Sequence, residues 1–340
     1  MDFQLIWFIF WGVLWTGYFM LDGFDLGVGI LKNFIARNEK EHQAVMKTVG
    51  PFWDGNEVWL VTAGGATFAA FPTTYALMFS YLYTALLIIL FALIIRGVAM
   101  ELRNKEPGPR WRRSWDIALL VSSFIPSLLF GVAFGNIFRG LPMDAEGYHG
   151  NLLSLLNPYG LVTGVLFVLL FMVHGALWIS LKTDGDLSHR AAGFAAKLWV
   201  PLVIVAVSFL VATHFATHLY DNFIKAPVFL VLPAIAVGAL LLTRFFIAGK
   251  RMFAAFITSL ATIGMVCLTG ITGLFPNLIP SSIDPKHSLT IYNSSSSPYT
   301  LKIMTIVVLI FLPIVIAYQV WSFTVFKQKL SATDGDTEEY

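Results

Sequence analysis

The sequence predicts an all-α polytopic membrane protein with nine transmembrane helices, the N-terminus outside and the C-terminus cytoplasmic. Three observations predict it. Of 340 residues, 57% are apolar and 12% charged, roughly half the charge content of soluble domains. The apolar residues fall into nine runs of about 20, the length that carries a helix across a hydrocarbon core of about 30 Å. The basic residues between the runs alternate in density, as the positive-inside rule requires.

The first run covers 3–21, with only Gln4 and Thr16 clearly polar, and its pattern continues to about 31. It has no basic region before Phe3 and no small-residue cleavage site after it, so it reads as a membrane helix and not a signal peptide. The remaining spans are expected over 51–71, 75–96, 116–138, 159–181, 197–219, 227–247, 253–275 and 301–326. Unbroken runs of this kind exclude the alternating pattern of a membrane β-barrel. With the N-terminus outside, 18 of the 22 Lys and Arg lie on the inner side; Arg139, Lys225, Lys286 and Lys302 lie outside. The longest outer segments are 139–158 and 276–300. Residues 1–326 are expected to form one integral membrane domain. Residues 327–340 form a short polar cytoplasmic tail, of which 331–340 are expected to be disordered. No internal repeat is evident.

Composition also excludes functions. A net charge of +2 gives no case for nucleic acid, and the one cysteine, Cys267, cannot form an internal disulfide, a CxxC site or a four-thiolate iron–sulfur site.

Ionisable residues within spans cost about 2.5–3.5 kcal/mol each at the helix centre. Here they are concentrated. Asp22 and Asp25 sit in the inner half of span 1, Asp54 and Glu57 at the inner start of span 2, and Arg96 at the inner end of span 3. Each acidic pair has i, i+3 spacing and so shares a helix face. For Asp54 and Glu57, a position in the first turn after Pro51, at the positive end of the helix dipole, is a sufficient structural explanation. Asp22 and Asp25 lie late in their helix, where the dipole disfavours anions; a salt bridge to Arg96 or a basic loop is the structural alternative. The functional reading covers all four. Carboxyls that converge in the inner leaflet cannot all be ionised there, and such acids suit a proton relay opening to the cytoplasm. Gly23 and Gly27 beside them have the small-xxx-small spacing of close helix contacts.

His174 and His214 fall near mid-span. Axial haem ligation by the two is geometrically open, with polar packing the more frequent explanation. Trp11 and Trp15 share a face of span 1 and pack on lipid, a helix or a bound ring system, helix or lipid contact being the default.

Four stretches carry a family resemblance: LDGFDLGVG (21–29), PFWDGNEVWLVTAGGATFAAFP (51–72), IIRGVAMELR (94–103) and PSSIDPKHSLTIYNSSSSPYTLKIMT (280–305). Together they resemble subunit II of the cytochrome bd quinol oxidases, from the N-terminus to the ninth span. The resemblance implies two four-helix bundles plus one additional helix, paired with a similarly folded subunit I in a heterodimer. It implies quinol oxidation coupled to reduction of oxygen to water, contributing to the proton motive force, in a bacterial or archaeal cell membrane. Haem b and haem d groups and the quinol site would belong to subunit I, so this chain would bind no cofactor alone and would not be catalytic in isolation. A single-helix small subunit is a further possible partner, and membrane lipid surrounds the complex. By the same resemblance Asp25 and Asp54 match acids of cytoplasmic proton delivery, with Arg96 a charge partner. Trp53 would lie near the subunit interface, and Trp59 would face the partner or a gas route. The competing classes are a proton-coupled transporter, which would show paired broken helices, and a di-haem membrane cytochrome b, which would need two histidine pairs. Pro126, Pro201, Pro233 and Pro313 are expected to interrupt their spans, without the paired pattern.

Overall fold

The computed structural model describes residues 2–330. The helices are α1 (Phe3–Ile35), α2 (Glu39–Val49), α3 (Trp53–Ala70), α4 (Pro72–Tyr81), α5 (Tyr83–Leu102), α6 (Pro109–Arg139), α7 (Leu152–Leu155), α8 (Pro158–Lys182), α9 (Gly185–Ala216), α10 (Tyr220–Lys225), α11 (Val231–Ala248), α12 (Met252–Leu274) and α13 (Pro298–Val325). Among the described residues, eight helices are long and apolar enough to cross a membrane. α3 is not one of them, because Asp54, Asn56 and Glu57 occupy its first turns.

α1 runs through the middle and packs against α3, α6, α8 and α12. Its glycines make that position possible. A Cβ on Gly27 would stand 1.8 Å from the Phe171 carbonyl oxygen of α8, and one on Gly23 would stand 2.8 Å from the Phe171 ring. Trp15 and Phe19 of α1 mesh edge-on with Phe130 and Phe134 of α6, and Phe19 also meets Phe167 of α8 at 5.0 Å. Trp11 is buried too, donating to Thr67 Oγ1 at 3.1 Å. Helix contact is therefore what these tryptophans make.

One end of the bundle is closed by the two long loops. Each holds a short antiparallel hairpin, β1 (Met143–Asp144) with β2 (Gly147–Tyr148) and β3 (Asn277–Ile279) with β4 (Leu289–Thr290). Leu141 N–H donates to Pro280 O and Ser282 N–H to Leu141 O, both at 2.9 Å, which stitches the loops together. The crossing needs glycine at position 140: φ is +93°, and a Cβ would lie 3.1 Å from Ser282 N. The opposite end carries α2 and a belt of ion pairs.

Several boundaries differ from expectation. Span 3 is divided at Leu82 into α4 and α5, without Gly or Pro at the break; Tyr81 there stacks on Tyr148 of the β hairpin at 4.7 Å. α9 begins at Gly185, so Arg190 and Lys197 are helical and not in a loop. Pro51 precedes α3 instead of opening it, and Phe52 is the cap residue. Pro126, Pro201 and Pro313 lie inside unbroken helices, and Pro233 lies in the first turns of α11. Proline within a membrane helix is tolerated where neighbours satisfy the freed carbonyl. Of the expected tail, residues 331–340 lie outside the described residues; Lys329 pairs with Asp184 at 2.9 Å.

Candidate functional site

The charges inside the spans gather around one guanidinium. Arg96, in the interior of α5, is 1% exposed. Its Nη2 donates to Asp22 Oδ1 at 2.5 Å and its Nη1 to Asp22 Oδ2 at 3.1 Å, a two-point pairing with α1. Glu57 of α3 brings Oε1 to 3.0 Å from the same Nη2. Asp25 sits on α1 at 4% exposure. Its Oδ2 accepts from Asn56 Nδ2 at 2.7 Å, and its Oδ1 has no hydrogen-bond partner among the described residues. Asn56 also donates to Leu21 O at 3.2 Å and accepts from Gln319 Nε2 of α13 at 2.9 Å. One cation thus faces three carboxyls from two helices. Two of those carboxyls have no full counter-charge, and a buried charge without one is expensive.

Asp54 does not join them. It is exposed on α3 and hydrogen-bonds nothing among the described residues. The i, i+3 spacing puts Asp54 and Glu57 on neighbouring rows, and only Glu57 turns far enough inward. Trp53 is half-buried, with its ring 3.2 Å from the position of a Cβ on Gly97 of α5. Trp59 is 9% exposed and lies over Gly17 of α1, at 3.1 Å from a Cβ there. Its ring therefore fills a gap inside the chain.

The two histidines sit in different surroundings. His174 is buried with both nitrogens engaged: Nδ1 lies 2.7 Å from Ser259 Oγ and Nε2 lies 3.3 Å from Met20 O. Its ring stacks on Phe256 at 4.4 Å. His214 lies in the last turn of α9, exposed, and not at mid-span as expected, because that helix starts and ends earlier than the apolar run suggests. These donors do not fit axial ligation.

Sequence reading missed two groups of polar residues. Asn56 and Gln319 carry no charge; the signal for Gln319 was a lone amide in an apolar run, and Asn56 was overshadowed by Asp54 and Glu57 beside it. The second group is the belt at the α2 end. Lys32 and Arg103 lie outside the expected spans, yet both are buried and both bind Asp116: Lys32 Nζ in a short contact, Arg103 Nε at 2.6 Å. Arg103 also holds Glu39 at 2.8 Å. Burial works against the Arg103 charge, but Asp116 and Glu39 outweigh it and raise its proton affinity further. His42 beside them is held below the usual imidazole range by burial and by Lys32.

Fold and cluster define a multi-pass helical membrane protein in which a buried arginine gathers carboxyls from α1 and α3. The chain belongs to the family described as cytochrome bd terminal oxidase subunit II, which matches residues 3–326. It is 38% identical to cytochrome bd ubiquinol oxidase subunit 2 of Bacillus subtilis, covering 96% of both chains. It is 34% identical to cytochrome bd-I ubiquinol oxidase subunit 2 of Escherichia coli, covering 95% of this chain and 94% of that one. The fold is similar to that in the structure of bd oxidase from Geobacillus thermodenitrificans, with a TM-score of 0.79 at 19% identity, over 96% of this chain and 99% of that chain. The chain is thus subunit II of a cytochrome bd terminal quinol oxidase, and the complex is an oxidoreductase. Family membership does not favour the transporter reading, nor do helices that run unbroken through their prolines.

Proposed function

We propose that this chain is the haem-free subunit of its oxidase and carries part of the proton delivery from the cytoplasm. The observation that carries the reading is the buried Asp25 carboxyl with one oxygen unpartnered, beside a guanidinium already shared by Asp22 and Glu57. Protons would enter at Asp54, pass Glu57, which is 25% exposed, and reach Asp25 past the Asp22–Arg96 pair. Haems b and d, and the quinol site, would lie in subunit I, with oxygen reduced to water there.

The topology proposed is nine spans in a bacterial or archaeal cell membrane, the N-terminus outside, with residues 1–326 as one membrane domain. The span that completes the nine is α3, the second in order, whose two ends contact opposite ends of the bundle: Ala70 O accepts from Ser296 N–H at 2.9 Å, and Phe52 stacks on Phe323 at 4.7 Å. Neighbouring helices suggest two groups of four, α1, α3, α5 and α6 in one and α8, α9, α11 and α12 in the other, with α13 outside.

Subunit I would seat on α3. Asp54, Val58, Val61, Gly65 and Phe68 are all exposed and follow the 4-3-4-3 spacing of a helix-packing seam. Gly64 and Gly65 have nothing within 4 Å of a would-be Cβ. A face bearing Asp54 is poorly suited to lipid, so a protein is the better cover. Trp53 would border that contact, and Trp59 would stand behind it on any gas route. A single-helix small subunit and lipid would complete the assembly.

The test is Asp25→Asn in the intact oxidase. Proton uptake during oxygen reduction is expected to slow at least tenfold, with the haem spectrum unchanged. Normal uptake and turnover in a normally assembled complex would reject the route.

A further inference from the structure

A hydroxyl one turn deeper in α1 belongs to the same cluster and has no part in the route described above. Tyr18 precedes Asp22 by four residues, so the two side chains share a face of the helix. It is fully buried, at 0% exposure. Its ring is fixed among Trp15, Phe19 and Phe130, with centroids 6.5, 5.3 and 5.3 Å away. Its Oη faces the Asp22 carboxyl, yet it completes no hydrogen bond of good geometry with any described residue. An orphaned phenol oxygen in an apolar core is unfavourable, so the group needs an acceptor within reach. Asp22 is that acceptor: each carboxylate oxygen has two lone-pair sites, and Arg96 takes one on each. The charged and titratable groups that face Tyr18 are Asp22 on its own helix, Arg96 from α5 and Glu57 from α3, while α6 presents Phe130.

We propose that Tyr18 is a positioning residue of the cluster, donating its phenolic hydrogen to Asp22 as a third donor beside Arg96, which holds Asp22 as the fixed ion-pair partner and leaves the exchangeable proton to Asp25 and Glu57. The inference rests on the proton-route reading and assigns its members different tasks. Asp22 and Arg96 form a static pair, locked from one side by Tyr18. Asp25, with its free Oδ1, and Glu57, with its partial exposure, do the exchanging. Hydrogen bonds to the charged form of a carboxyl favour that form. Without the phenol, Asp22 competes with Asp25 for the same proton.

The experiment is Tyr18→Phe in the intact oxidase, with proton uptake and turnover followed across the pH range and the haem spectrum used to verify assembly. Phe keeps the ring among Trp15, Phe19 and Phe130, so packing is preserved. One hydrogen bond to a carboxylate corresponds to a proton-uptake rate about ten- to a hundredfold slower and a turnover profile moved upward by about one to two pH units. Tyr18→Leu is expected to show the same profile shift together with lower thermal stability. A Tyr18→Phe profile that coincides with the unaltered oxidase, while Asp25→Asn slows uptake, would leave the route standing and reduce Tyr18 to packing. Unchanged uptake in Asp25→Asn would remove the route and this inference with it.

Discussion

Arg96 shows what one buried charge does in this fold. Removing it would leave Asp22 uncompensated at 0% exposure, and breaking a buried pair from one side costs about 3–5 kcal/mol. Arg96→Met is therefore expected to lower the thermal midpoint of the purified complex sharply, and Arg96→Met with Asp22→Leu to recover most of the loss. A double variant no more stable than the single one would show that the pair is not a closed unit. The pair was legible in the sequence because charge is scarce in the spans, and Arg96 and Asp22 both stood out. The direction of Asp54 was not legible. Spacing tells which residues share a helix face, but only packing of α3 against α1 decides which face looks inward. Asn56 was hidden for a different reason: amides carry no charge to break the membrane rule, though one of them holds Asp25.

At the scale of elements, α2 went unread although its signal was present. Asn38 stands three residues before Glu41, the spacing of a helix N-cap, and its side chain accepts from Glu41 N–H at 3.0 Å. Burial disfavours the Glu41 charge, but the Arg190 hydrogen bond at 2.5 Å and the Arg37 N–H at 2.6 Å outweigh it and hold the carboxyl below its ordinary value of 4.5. A carboxyl lowered in the folded state contributes stability that is complete above its unfolded value and is lost as pH falls through the folded one. Exchange of α2 amides, corrected for the intrinsic rate, is thus expected to rise as pH drops below about 4.5. In Arg190→Gln it is expected to be fast already at neutral pH. Flat protection down to pH 3 would mean that α2 is held by its apolar face alone. The glycines of α1 are the opposite case: a close helix contact was legible from Gly23 and Gly27, and the structure supplies α8 as its partner. Gly27→Ala would drive a methyl into the Phe171 carbonyl, so the complex is expected to lose most of its assembled yield, measured as haem per membrane protein; normal yield would show that α1 can shift away from α8.

For the whole molecule, the apolar runs made the multi-pass helical architecture legible, since they reflect the bilayer and not the details of packing. What they do not reveal is why α3, among the long helices described, is too polar in its first turns to read as a span by itself; a subunit I packed on it, as proposed, supplies the reason. The proposed seam gives a direct measurement. Gly65 lies in its centre with open space around it, so Gly65→Ile is accommodated by this subunit by itself. Gly238 on α11 is equally open but lies away from the seam, which makes Gly238→Ile the matched control. If subunit I packs on α3, the branched side chain at position 65 separates the two helices, and each 1.4 kcal/mol lost weakens association about tenfold. Gly65→Ile is then expected to insert at normal levels but to recover at most about a tenth as much subunit I and haem on copurification, while Gly238→Ile recovers the full amount. Equal recovery for the two variants would move the interface off α3, and the acidic character of that helix would then need a different explanation.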